Sequence, residues 1–267
     1  MNRPLDVLGE MARFEWRVQR RNPVWMIGLA AAALLGFSEA FSSGVLGWPT
    51  TTQAVRAYQL GCTMFLGIMT FLLVAGTLSR DLAADRKDLL LCRPIPAWAY
   101  LGGAYLGNVL FALGVSVLYL AAFVAIPLFY GQSAPYPMRE FACVWTCSIL
   151  PTILFCGALA VLLMCLSRRV IVALPVFLVY FLAVAVFRVP NTLRTHTPNV
   201  DLWDLSMRLY ERDLSAHLGP CRLWDMSYSY LLHPLVPELV LRARLYIAFS
   251  VVLVGLSVLL LERMRSR

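Results

Sequence analysis

Apolar and polar positions fall in long blocks along this chain. Six apolar runs, at 24–46, 57–78, 101–129, 141–166, 170–187 and 245–261, are separated by polar stretches. About 20 apolar residues suffice to cross a bilayer as a helix, so the pattern predicts an all-α membrane protein with six transmembrane helices. Ahead of the first run, Pro4–Arg21 has helical spacing, with Leu5, Leu8, Ala12, Trp16 and Gln19 near one face. Arg13, Arg17, Arg20 and Arg21 lie largely elsewhere. That predicts an N-terminal amphipathic helix in the headgroup layer, with Phe14 and Trp16 as anchors and the arginines meeting phosphates. A helix packed on a cytosolic partner is the other reading. Asn22-Pro23 ends it and starts the first span.

The polar stretch between the second and third runs reads SRDLAADRKDLLLCRPIPAWAY, residues 79–100. Asp81, Asp85 and Asp88 fall at i, i+4 and i+7, which a helix places on one face. Leu82 and Leu89 lie on a neighbouring face with Arg86 between them, and Pro94 and Pro96 redirect the chain. The expected element is a short amphipathic helix held to the membrane at both ends, offering acidic and apolar side chains to water. It could receive a push from a soluble partner and pass it to two membrane helices. An ordinary solvated loop is the alternative.

The remaining polar features are fewer. Glu39 lies in the first span, where a carboxylate is by default a functional candidate, though near the span's end it can simply reach the interface. The third span carries Gly103 and Gly107, small residues four apart that allow close helix contact, and Asn108, expected to bond another helix. Pro151 interrupts the fourth span and Pro175 the fifth; proline is tolerated there where neighbours satisfy the backbone. Ser167-Arg168-Arg169 makes a tight turn. Residues 188–244 form the one long polar segment, with two aromatic-bearing amphipathic stretches and all three histidines, His196, His217 and His233.

Composition agrees with the pattern. The 267 residues are 60% hydrophobic and 14% charged, against about 45–50% and about 25% in soluble domains. Of 23 basic residues only Lys87 is a lysine. A phosphate-binding Walker A loop needs Gly-Lys-Ser/Thr, and Lys87 stands between Arg86 and Asp88, so ATP binding of that kind is excluded. Seven cysteines are scattered without a CxxC, and neither a disulfide framework nor a metal site is expected. The first 23 residues lack an apolar run, so no cleavable leader is expected.

The net charge of +8 is a topology signal. Segments 1–23, 79–99, 167–170 and 262–267 hold 14 basic residues in 54, whereas 42–57, 131–140 and 188–244 hold 9 in 83. Basic residues stay inside, so both termini and the 79–99 stretch are expected to be cytoplasmic, with 188–244 external. Nucleic-acid binding then has no support.

An arginine-rich interfacial helix ending in Arg-Asn-Pro precedes six spans, and the loop after span two reads Arg-Asp-x4-Arg-Lys-Asp-Leu-Leu-Leu-Cys-Arg-Pro-Ile-Pro, followed by Tyr-Leu-Gly-Gly. This resembles the permease subunit of ABC-2 type (type V) exporters, although Arg86-Lys87-Asp88 stands where many members carry Gly-Thr. The resemblance implies a single transmembrane domain over 1–267 without catalytic residues, in a bacterial inner membrane. It would pair with a second permease subunit over two copies of a separate ATPase that binds the ATP and Mg. Asp81, Leu82, Asp85, Arg86, Asp88 and Leu89 would form the coupling helix that docks into the ATPase. Residues 1–23, with Arg13, Trp16, Arg17 and Arg20, would form the elbow helix against membrane lipids. Three other classes remain open. Clustered aspartates beside a membrane could hold Mg²⁺ in a lipid-modifying phosphotransferase. An ion-coupled carrier would show ionisable groups near mid-membrane. A non-transporting anchor would only bind a soluble partner.

Overall fold

The computed structural model describes residues 4–42, 51–82, 95–129, 141–142, 144–180 and 236–265. Nearly all of these are helical and none is in a strand. The helices are α1 (Pro4–Arg21), α2 (Pro23–Ser42), α3 (Thr51–Leu82), α4 (Ala97–Phe129), a π-helical turn (Trp145–Ile149) running into α5 (Leu150–Ser167), α6 (Val170–Tyr180) and α7 (Val236–Arg265). Four stretches are long and apolar enough to cross a membrane: Phe65–Leu82, Ala97–Ala125, Trp145–Ser167 and Ala243–Met264. Trp25–Ser38 and Val170–Tyr180 are shorter apolar helices.

Local chemistry explains the boundaries. α1 opens on Pro4, with Asp6 in its first turn and Arg20 and Arg21 in its last, all favoured by the helix dipole. The backbone N–H groups of Trp25 and Met26 donate to the Asn22 carbonyl and start α2 at once. Pro151 has no N–H for the carbonyl four residues back and its ring crowds that carbonyl. The helix widens just before it: the Leu150 N–H bonds the Trp145 carbonyl, five residues back. The Thr152 hydroxyl donates to the Ser148 carbonyl at 2.8 Å. The predicted turn after the fourth span is present. Arg168 takes the left-handed conformation at φ 57° and its N–H bonds the Met164 carbonyl, closing α5 before α6 begins.

α3 and α4 are antiparallel, their joined ends flanking residues 83–94. α4 also runs antiparallel to the π turn and α5, since the Tyr105 hydroxyl donates to the Leu154 carbonyl while the Trp145 indole donates to the Ser116 hydroxyl. α5 and α7 are parallel: Phe155 packs edge-on against Tyr246, and the Arg168 guanidinium donates to the Met264 sulfur. One end of the bundle therefore gathers the end of α3, the start of α4, the turn after α5 and the C-terminal turn of α7. α1 lies at that same end, against the first turns of α4. The core between the helices holds fully buried Phe71, Tyr119, Phe123, Phe141 and Phe177, with Phe71 and Phe177 stacked at 4.0 Å. α2 meets α4 closely at Gly36, where an added Cβ would stand 2.7 Å from the Tyr119 carbonyl oxygen.

Candidate functional site

The most developed polar feature lies where α1 crosses α3 and α4. α1 reaches it because Gly103 and Gly107 leave a bare strip on α4. A Cβ at Gly103 would stand 2.5 Å from Met11 Cβ and 2.9 Å from the Leu8 carbonyl oxygen. At Gly107 it would stand 2.7 Å from the Ala12 carbonyl oxygen and 2.8 Å from Glu15 Cβ. Only glycine admits the α1 backbone at that distance. The glycine pair thus seats the N-terminal helix, and the seam runs through Leu8, Met11, Ala12, Glu15 and Gln19, at helical spacing.

Two polar side chains therefore enter the protein from α1. Glu15 is fully buried and Gln19 nearly so. Glu15 Oε1 accepts from Arg80 Nη2 at 2.9 Å, and Arg80 Nε donates to Asp81 Oδ1 at 3.1 Å. Asp81 Oδ2 accepts from the Tyr100 hydroxyl at 2.7 Å. The chain Glu15–Arg80–Asp81–Tyr100 thus runs from α1 through the last turn of α3 to the first turn of α4. Beneath it, Gln19 Nε2 donates to Asn108 Oδ1 at 2.7 Å and to Thr77 Oγ1 at 3.1 Å. Asn108 Nδ2 donates to the Ala104 carbonyl at 2.8 Å and to Thr77. The Thr77 hydroxyl can in turn donate to Glu15 Oε2 at 3.4 Å.

Burial raises the Glu15 carboxyl pKa above its ordinary value, and the nearby Asp81 charge pushes the same way. The Arg80 guanidinium and the Thr77 hydroxyl offset part of that rise. Glu15 carries a charge that is costly to bury and is compensated chiefly by one cation. Removing that cation would leave it uncompensated.

The sequence-predicted residues divide accordingly. Asp81 and Leu82 belong to the last turn of α3; Leu82 is buried and Asp81 is engaged by Tyr100 and Arg80. Asp85, Arg86, Asp88 and Leu89 lie outside the described residues, so the acidic face expected of 79–99 is seen only at its first member. Arg13, Arg17 and Arg20 are exposed on the outer side of α1. Trp16, 37% exposed, packs edge-on against Phe111 of α4. Asn108 bonds another helix, as expected, and that helix is α1 as well as α3. Glu39 lies in the last turn of α2. Cys62, Cys147, Cys156 and Cys165 are buried, and among the described residues no three His, Cys, Asp or Glu side chains gather to hold a metal ion. The three histidines, Cys92, Cys143, Cys221 and the 188–235 part of the expected external segment lie outside the described residues.

Sequence reasoning overlooked Glu15, Thr77, Arg80 and Tyr100 as a set. A signal was present: Glu15 and Gln19 are one turn apart on the side of α1 away from Arg13, Arg17 and Arg20. Thr77 and Arg80 are likewise one turn apart on α3. Compared with known protein families and with curated proteins, the chain matches none.

Proposed function

We propose that this chain is the membrane subunit of an ATP-driven exporter in a bacterial inner membrane, working as a pair on two copies of a separate ATPase that binds and hydrolyses the ATP. It has six spans, formed by α2 to α7, with both termini cytoplasmic, and no catalytic residues of its own. The observation that carries this reading is the chain Glu15–Arg80–Asp81–Tyr100. It links α1 to both helices that enter and leave 83–94, the stretch best suited to receive a soluble partner. A push on that stretch would move the end of α3, the start of α4 and α1 together, because the ion pair and the glycine contacts leave α1 little independent freedom. Exposed Arg13, Arg17, Arg20, Arg21, Arg168, Arg169 and Arg263 gather at the same end, which supports assigning that end to the cytoplasm.

The test lies in residues 79–99. Burying a leucine is worth about 1.5–3 kcal/mol, whereas an exposed ion pair gives about 0–1 kcal/mol. Leu89→Asp is therefore expected to abolish retention of the ATPase on purification and to stop export, while Asp85→Asn weakens both only slightly. Neither should alter membrane insertion. Wild-type retention and export in Leu89→Asp would remove the coupling role from this stretch.

A further inference from the structure

α1 is seated by the side that an in-plane amphipathic helix would turn to the acyl chains. Leu8 and Met11 meet Gly102 and Gly103, Ala12 and Glu15 meet Gly107, and the Trp16 ring reaches Phe111 and Gly114. α1 therefore advances along α4 in the same direction, and α2 continues the path until Gly36 meets Tyr119 and Ala122. All these α4 residues lie within Ala97–Ala125, a stretch apolar enough to cross a membrane. α1 thus stands beside that stretch and not beyond its end. Two tryptophans bracket it. Trp98, 39% exposed, precedes Gly102 by one turn. Trp25 borders Leu73 and Gly76, at the level where Thr77 bonds Asn108. Tryptophan marks the headgroup layer, so the surface of α1 left open by α4 has lipid as its neighbour.

That surface is basic. Arg13, Arg17 and Arg20 follow at i, i+4 and i+7 on the side opposite Glu15 and Gln19, with Arg21 beside them, and all four are exposed. None makes an ion pair among the described residues, and Arg17 Nε donates to the Arg13 carbonyl at 3.3 Å. Asp6 and Glu10 share this side nearer the start of the helix. The half next to α2 therefore turns four cations and no carboxylate outward. Exposed Trp16 and Phe14 flank the arginines on either side. A basic stripe between two aromatic side chains suits a phospholipid, which brings phosphate and acyl chain together, better than it suits an acidic protein surface. Guanidinium groups bind phosphate through paired N–H donors, and each basic residue at an anionic membrane surface strengthens binding about fivefold. We propose that this face of α1 binds anionic phospholipid, the phosphate held between Arg17 and its neighbours Arg13, Arg20 and Arg21, with the acyl chains passing along Phe14 and Trp16. The inference rests on the chain being a membrane protein and not on the exporter reading, since it needs no ATPase.

The experiment uses the purified full chain, stripped of lipid in detergent and titrated separately with phosphatidylglycerol and phosphatidylcholine, with bound lipid read by native mass spectrometry. Phosphatidylglycerol should be retained in preference. Arg13→Gln/Arg17→Gln/Arg20→Gln should weaken its retention on the order of 100-fold. Arg168→Gln/Arg169→Gln/Arg263→Gln removes three arginines at the same end of the bundle but off α1, and should weaken it far less. Asp6→Asn/Glu10→Gln leaves every arginine in place and should tighten retention, a gain that misfolding cannot mimic; its absence would overturn the proposal. Equal retention of the two lipids by wild type, or equal losses in the two triple variants, would reduce the effect to overall charge and overturn it as well. Wild-type retention in the α1 triple variant would overturn it and leave the face to an acidic soluble protein. So would competition by soluble glycerophosphoglycerol as strong as by the lipid, since a free phosphate group would then suffice.

Discussion

Glu15 and Arg80, 65 residues apart in sequence, stand 2.9 Å apart with the glutamate side chain fully buried and the guanidinium one-third exposed. The two partners are not equivalent. Arg80 has a second carboxylate in Asp81 and access to solvent, whereas Glu15 depends on Arg80 and a long hydrogen bond from Thr77.

That asymmetry sets the first prediction. Arg80→Gln leaves a buried carboxylate without its cation and should cost about 3–5 kcal/mol. Glu15→Gln removes the burial penalty together with the attraction, and should fall within about 1 kcal/mol of wild type. Thermal unfolding of the two variants in the same detergent checks the order; equal losses would mean that the pair does not control the stability of this seam.

The second prediction concerns pH. Because burial holds the Glu15 pKa above its ordinary value of 4.5, the folded protein binds this proton before the unfolded chain does. Stability from this group is fully present below 4.5 and is lost as pH rises through the raised folded value. The melting temperature of wild type, referred to Glu15→Gln, should therefore rise as pH is lowered through that window. A flat difference would place the folded pKa at its ordinary value.

Third, α1 should be more sensitive to α4 glycines than to its own. Gly107→Ala drives a methyl into the Ala12 carbonyl and Glu15 Cβ, and overpacking of this kind costs about 1–3 kcal/mol. Gly9→Ala meets nothing within 4 Å and removes a helix glycine, for a gain of up to about 1 kcal/mol. Protease accessibility of α1 should increase in the first variant alone.

The fourth prediction is one of sidedness. In a background without cysteine, Arg86→Cys, Arg168→Cys and Glu10→Cys should all be labelled from the cytoplasmic side, and Arg208→Cys from the other. Labelling of Arg86→Cys from outside would invert the topology and remove the basis for docking at 79–99.

Much of the helical framework could be read without coordinates. Apolar runs mark helices because a backbone in hydrocarbon must satisfy its own hydrogen bonds, and so α4 and α5 lie where the runs place them. α1 was legible from its spacing, and the turn at Arg168 from three polar residues between two runs. The helices nonetheless extend beyond the runs: α3 continues to Leu82 and α7 spans Val236–Arg265. Hydropathy reports where lipid contact ends, whereas a helix continues until its capping or a proline stops it.

What the tertiary structure alone decided is which polar residues are inside. On sequence, Arg80 and Asp81 belong to a water-facing charged stretch, and Glu15 is one charged residue of an interfacial helix. In the fold, Arg80 bridges both carboxylates, and Asp81 also accepts from Tyr100. Periodicity identifies a buried face only when that face is apolar. A buried carboxylate or amide is stable only beside a complementary group, and here those groups are supplied from 58 to 89 residues away, by Thr77, Arg80 and Asn108. Gly103 and Gly107 were visible as a pair, but which helix would lie on them depended on the matching backbone of α1, a property of two surfaces in contact that one-dimensional spacing does not encode.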